Sequence, residues 1–239
     1  MSADKKNVPV DLIYTLQMHT NYLTYLNRKD VPEYPEFWNE ETARLVCFET
    51  NEWNTELNPK LTLAVKPYLE AMSTTLLHPF QLQHSYIDSQ DSLYRSAEHP
   101  DAISSQAPFI YLVAHGKPGA ILYDNFTGSG LDELVFPFES KTEVKRIIYI
   151  GACSIFGQSD GELLASHLLE QAKCEAVIGY TEKAGWYNAN FTEMLFISRF
   201  YNSPYPFTEL DDIFNSVLND FIPARKIGLK MFSRKSIRN

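Results

Sequence analysis

The chain has 239 residues, 44% of them hydrophobic and 21% charged, with a formal net charge of −9. That is enough chain for one large domain, or one domain with appendages. The acidic balance argues against nucleic acid as the main partner. No apolar run approaches the ~20 residues of a membrane span, and residues 1–16 carry no signal-peptide pattern. Cys47, Cys153 and Cys174 are too few and too widely spaced for a disulfide framework, so a reduced, cytoplasmic protein is expected.

Residues 1–43 read as a helical N-terminal appendage, with Val10, Ile13, Tyr14, Leu16, Tyr22, Leu23 and Leu26 at helical spacing. A first core strand is expected over 44–50. A helix over about 59–77 follows, with Asn58 as N-cap and Pro59 in its first turn. Residues 80–87 read as a second strand, and a short helix is expected around 92–97 in a polar stretch. Phe109-Ile110-Tyr111-Leu112-Val113-Ala114 is an apolar, β-branched and aromatic run that ends at His115-Gly116. A hairpin over 119–124 and a Gly- and Asp-rich loop come next. Arg146-Ile147-Ile148-Tyr149-Ile150 is a second such run, ending at Gly151-Ala152-Cys153-Ser154. Then follow a helix over about 161–172, a strand over 176–180, a long helix over about 188–201 and an amphipathic helix over 207–222. From Arg225 onward there are six basic residues and no acid. That stretch reads as a solvated basic tail, or as a dock for an acidic partner or for the acidic body of the same protein. The alternation of strands and helices predicts a mostly parallel sheet covered on both faces.

Two strand ends carry the chemistry. In open α/β sheets, ligands collect at the carboxyl ends of the strands. A thiol and an imidazole delivered there make a nucleophile and its general base. His115 alone among the six histidines combines a strand end with a following Gly, and Cys153 lies in a small-residue flank that leaves its thiol uncovered. The N–H groups of Gly116 and Cys153 are candidates for an oxyanion hole. Cys47 and Cys174 read as buried, inert thiols. Gly157-Gln158-Ser159-Asp160-Gly161 matches a hydrolase elbow in letters only, because the preceding strand ends about nine residues before Ser159 and no Asp/Glu-then-His order follows. No metal-ligand spacing, P-loop or dinucleotide fingerprint is present.

The His-Gly and Ala-Cys strand ends, 38 residues apart, resemble the caspase-like cysteine peptidases, the group that includes caspases, gingipains, legumain, separase and the bacterial CHAT-type proteases. The likeness spans about 44–201, with 202–239 left as a C-terminal helix and basic tail. It implies a three-layer α-β-α sandwich with a mostly parallel sheet. It also implies a cysteine endopeptidase acting on a protein or peptide substrate, with Cys153 as nucleophile, His115 as general acid–base and no cofactor or metal. A gate opened by a small molecule, a partner protein or self-cleavage is implied as well, with an effector role in immunity, such as antiviral defence in bacteria, or in programmed death. The caspase Gln-Ala-Cys-Arg-Gly signature is absent, with Ser154 where that Arg would stand, so aspartate specificity is not expected. Glu49, Glu52, Asp124, Asp132 and Glu182 are acids near the expected cleft, and a carboxylate in the specificity pocket would favour Arg or Lys. Trp53, Glu182 and Trp186 are the candidate pocket residues; either Trp reads equally as ordinary packing. The other reading is a catalytically inactive module of the same fold that binds a signal ligand or partner.

Overall fold

A computed structural model describes residues 43–50, 64–76, 78–98, 107–123, 127–141, 143 and 145–234. The expected N-terminal appendage, apart from Ala43, lies outside the described residues, as do Asn58, Pro59 and residues 235–239.

Six strands form the central sheet: β1 (Arg44–Thr50), β2 (Gln81–Ile87), β3 (Phe109–Val113), β7 (Ile147–Gly151), β8 (Ala176–Tyr180) and β9 (Leu229–Ser233). Their spatial order is β2-β1-β3-β7-β8-β9. All neighbours run parallel except β9, which returns antiparallel to β8. A small antiparallel sheet of β4 (His115–Lys117), β5 (Ala120–Leu122) and β6 (Gly128–Ser129) stands beyond the end of β3.

Both faces of the sheet are covered, as near-continuous apolar strands demand. One face presents Cys47, Tyr111, Tyr149 and Ile178. Against it pack α1 (Lys66–Thr75), α5 (Trp186–Asn202), α6 (Leu210–Asp220) and α7 (Ile222–Lys226), through Leu69, Phe196, Phe200, Ile213 and Ala224. The other face presents Phe48, Leu112 and Ile150. It is covered by α2 (Gln90–Glu98), α3 (Leu131–Val135) and α4 (Gln158–Gln171), through Leu93, Leu134 and Leu168. β3 and β7 are buried at every position. The result is the expected three-layer α-β-α sandwich with a mostly parallel central sheet.

The hairpin expected over 119–124 starts earlier, as β4 and β5 from His115 to Leu122, and the helix expected over 207–222 is two, α6 and α7. Three further elements differ from the sequence expectation. α1 starts at Lys66, since Ala64 and Val65 are not helical, and it carries Pro67 rather than Pro59 in its first turn. α4 begins at Gln158, three residues earlier than its apolar pattern suggests. Residues 229–233, read as tail, are strand β9: Leu229 is buried against the core, while Lys230 and Arg234 reach the acidic body of the same chain through Glu162 and Glu143, each at 2.8 Å. Of the alternatives for the basic stretch, this part takes the dock on the protein's own acidic surface. Among the described residues no helix is long and apolar enough to cross a membrane.

Candidate active site

β3 and β7 are adjacent, and their register sets the site. Val113 is paired with Gly151, and His115 and Cys153 each stand two residues beyond that pair. The Ala114 N–H donates to the Gly151 carbonyl at 3.4 Å, so pairing continues one step past the strands. His115 and Cys153, both partly exposed, then line one pocket of about 230 Å³.

The two segments are locked together. A Cβ on Gly116 would lie 2.7 Å from the Cys153 carbonyl oxygen and 2.8 Å from Ala152 Cβ, so only glycine allows this approach. The hairpin that starts at His115 turns at Pro118-Gly119, with Gly119 at φ +73°. The Gly119 N–H donates to the Ile155 carbonyl at 3.0 Å, which ties the hairpin to the segment after Cys153. Ser154 takes φ +50°, an uncommon conformation for a non-glycine residue that re-aims the chain directly after Cys153. The Ser154 N–H donates to the Glu182 carbonyl and the Ile155 N–H to the Ala152 carbonyl. The Cys153 N–H has no hydrogen-bond partner among the described residues.

The Cys153 thiol donates to the Ala184 carbonyl at 3.1 Å. Ala184 belongs to the connection between β8 and α5. That connection is held from β9's side: Thr181 bonds the Gly228 carbonyl through its N–H at 2.9 Å and its hydroxyl at 3.2 Å. The other two thiols are buried and inert. Burial pushes Cys174 up to about 12, and burial, reinforced by Glu49 and Glu193, holds Cys47 well above the ordinary thiol range.

The pocket walls are mostly apolar, with Val65, Val113, Ala184 and Ala189, plus Trp186 and Tyr180. On its lining is one carboxylate, Glu193, which is 2% exposed. The hydroxyls of Tyr111 and Tyr180 donate to it, the latter at 2.9 Å. Burial is the first cause that pushes Glu193 up to about 7; the two tyrosine bonds pull the other way, and Glu49 adds to the rise. Tyr111, Tyr149 and Tyr180 are themselves held well above the usual phenol range, first by burial and next by the Glu193 charge. A Cβ on Gly151 would lie 2.5 Å from Glu193 Oε1, so the glycine that ends β7 is also what admits the carboxylate.

The sequence candidates divide as follows. Cys153, His115 and Trp186 line the pocket and Gly116 adjoins it. Trp53, Glu52 and Asp124 lie outside the described residues. Glu182 does not line the pocket: its side chain is exposed, and only its backbone serves the site, as the acceptor for Ser154. Asp132 is exposed on α3. Glu49 is fully buried, but it is bound to His84 Nε2 at 2.8 Å and accepts the Val65 N–H at 2.8 Å, so it braces the pocket wall from behind. The His84 side chain is itself only 4% exposed. Sequence reasoning missed Glu193 and its neighbour Asn190, although a signal existed: Glu193 falls three and four residues before Phe196 and Ile197, on the buried stripe of an apolar helix.

Among the described residues no group of three or more His, Cys, Asp or Glu is placed to hold a metal. No protein-family model and no curated protein matches the chain. Among solved structures the chain is similar to caspase-1 from Spodoptera frugiperda, with 13% identity over 86% of this chain and 93% of that one at a TM-score of 0.49. It is also similar to the Drosophila initiator caspase Dronc, with 8% identity over 80% of this chain and 77% of that one at a TM-score of 0.44.

Proposed function

We propose that the protein is a caspase-like cysteine endopeptidase with a Cys153/His115 dyad, held in check until a signal arrives. The observation that carries this reading is the Val113–Gly151 pair, which brings an imidazole and a thiol to the same level beside one pocket.

His115 takes the thiol proton, and the thiolate attacks the scissile carbonyl carbon. The carbonyl π electrons move to oxygen, which the N–H groups of Cys153 and Gly116 stabilise. As the tetrahedral intermediate collapses, the C–N bond breaks and His115 protonates the leaving amine. The resulting thioester is cleaved by water: His115 removes a water proton, the hydroxide adds, and Cys153 leaves as thiolate and is reprotonated. The residues require no metal or organic cofactor for these steps.

The Cys153 thiol is engaged as a donor to the Ala184 carbonyl. Release of that contact by movement of residues 181–185 is the gate this reading needs. A small-molecule or protein activator, and a role as a cytoplasmic immune or cell-death effector, complete the proposal.

The test is a comparison of new protein N-termini produced in cells by the wild type and by Cys153→Ala. Cleavages present only with the wild type, and lost again in His115→Ala, support the endopeptidase. Identical N-terminal sets from wild type and Cys153→Ala, with signal present and absent, overturn it.

A further inference from the structure

The floor of the pocket beside Cys153 holds three features that belong together. Glu193 presents a buried carboxylate, oriented by two tyrosine hydroxyls. Asn190 stands one helical turn earlier on α5, so both side chains project from the same face. It lines the pocket, it is 5% exposed, and its Nδ2 has no hydrogen-bond partner among the described residues. Trp186, at the start of the same helix, adds an indole to the wall. Buried polar groups are normally satisfied, so an unpartnered amide beside a carboxylate of raised proton affinity marks a place where a ligand group is missing.

We infer that this pocket reads a basic side chain, lysine or arginine, immediately before the scissile bond, with Glu193 as its specificity-determining residue. The inference rests on the endopeptidase reading and names its substrate class.

The alternatives fail on chemistry. An apolar side chain would bury the carboxylate more deeply and give nothing back. An acidic one would meet Glu193, with Glu49 also adding negative field from β1. A cation supplies the charge that the pocket lacks. It can also lie against Trp186, and the Asn190 amide, unheld in its present orientation, can turn its oxygen toward the cation. Reach fits as well. The carboxylate abuts Gly151, two residues from Cys153, or about 6–7 Å along extended chain, a span that suits the four-carbon stem of lysine. Glu182, the acid that the sequence brought forward for this task, is exposed and outside the pocket; Glu193 takes its place.

Two measurements separate this inference from the reading it rests on. The first is binding of n-butylammonium and of benzamidine to Cys153→Ala, followed calorimetrically and needing no turnover. Both are expected to bind, and Glu193→Gln in the same background should weaken them at least ~10-fold, while Asn190→Ala weakens them less. Chemical shifts of the Tyr111 and Tyr180 rings would report the same occupancy. The second is cleavage of a peptide library varied at the residue before the scissile bond. Wild type should prefer Lys and Arg, and Glu193→Gln should lose that preference by ~100-fold while still labelling with iodoacetamide at Cys153. Amine binding that depends on Glu193, with no peptide cleaved under any condition, sinks the endopeptidase and supports the cation pocket. Cleavage after apolar or acidic residues, or amine binding unchanged by Glu193→Gln, overturns the cation pocket and leaves the endopeptidase standing. Neither binding nor cleavage overturns both.

Discussion

The Cys153 thiol and the Ala184 carbonyl are hydrogen-bonded at 3.1 Å, which ties the proposed nucleophile to the β8–α5 connection. This contact and the depth of the other two thiols together give a ranking of cysteine reactivity. At neutral pH Cys153 should label with iodoacetamide first. Cys174, pushed up to about 12, presents ~1000-fold less thiolate than an ordinary thiol, and Cys47, fully buried, should be slower still. His115→Ala should slow Cys153 alone. Peptide mapping after timed labelling checks this, and equal slow labelling of all three thiols, with the activating signal present as well as absent, contradicts the dyad.

Gly116→Ala tests the close approach of the two strand ends. Its Cβ would meet the Cys153 carbonyl oxygen at 2.7 Å and Ala152 Cβ at 2.8 Å, backbone and packed side chain that cannot swing away. Overpacking of this kind costs about 1–3 kcal/mol, and displacement of a catalytic base by even ~1 Å costs on the order of 100-fold in rate. A Cβ on Gly130 would meet nothing within 4 Å, so Gly130→Ala is the matched control and should keep both stability and rate. Thermal melts and peptide turnover on the two variants give the comparison.

Glu49→Ala should destabilise the protein and open the pocket wall. The carboxylate is buried, bonded to the 4%-exposed His84 side chain and to the Val65 N–H. Removing the acceptor leaves the buried His84 ring nitrogen and the Val65 N–H without their partner, a cost of roughly 1–3 kcal/mol for each such group. Chemical denaturation measures the loss, and faster amide exchange at Val65 would report the freed wall.

What was legible in the sequence follows from how far apart its causes lie. The two strand ends that carry His115 and Cys153 could be placed because each is local: an apolar run that cannot lie at the surface, stopped by small residues and one reactive side chain. Glu193 was readable in principle, as an acid on the stripe that leads to Phe196 and Phe200, yet its role depends on Tyr111 and Tyr180 from two other strands. The Glu49–His84 pair joins residues 35 apart across β1 and β2, and no local pattern announces it. Strand β9 was hidden by Lys230 and Arg234, which look like a solvated tail until Glu162 and Glu143 are in place to receive them.

Gly228→Ala probes the hold of β9 on the proposed gate. Gly228 has φ +65°, and an added Cβ would overlap the Thr181 hydroxyl oxygen, so the Gly228 carbonyl could no longer hold Thr181 through both bonds. The left-handed conformation alone costs a non-glycine residue roughly 1–2 kcal/mol. The variant should melt earlier, and its Cys153 should label faster than in wild type without a signal, because the connection that carries Ala184 is loosened. Earlier melting with unchanged Cys153 labelling would detach the gate from β9.

Glu193 gives the fold a pH dependence whose sign is fixed by its environment. Its carboxyl is raised to about 7 in the folded protein from an ordinary value of 4.5. Between those values the folded state holds a proton that the unfolded state has released. The contribution is therefore complete below about pH 4.5 and is lost as pH rises through 7, a change on the order of 3 kcal/mol. The groups facing Glu193 do not reverse this: Tyr111 and Tyr180 titrate far above the window, and Glu49 only pushes in the same direction. Glu193→Gln should remove this component, so the stability difference between wild type and variant, measured by urea unfolding at pH 5, 6, 7 and 8, should move steadily against the wild type. A flat difference would mean that the carboxyl is ionised throughout. A bound cation should have the opposite effect on the wild type, gaining affinity as pH rises because the ionised Glu193 that burdens the empty fold is the form it pairs with.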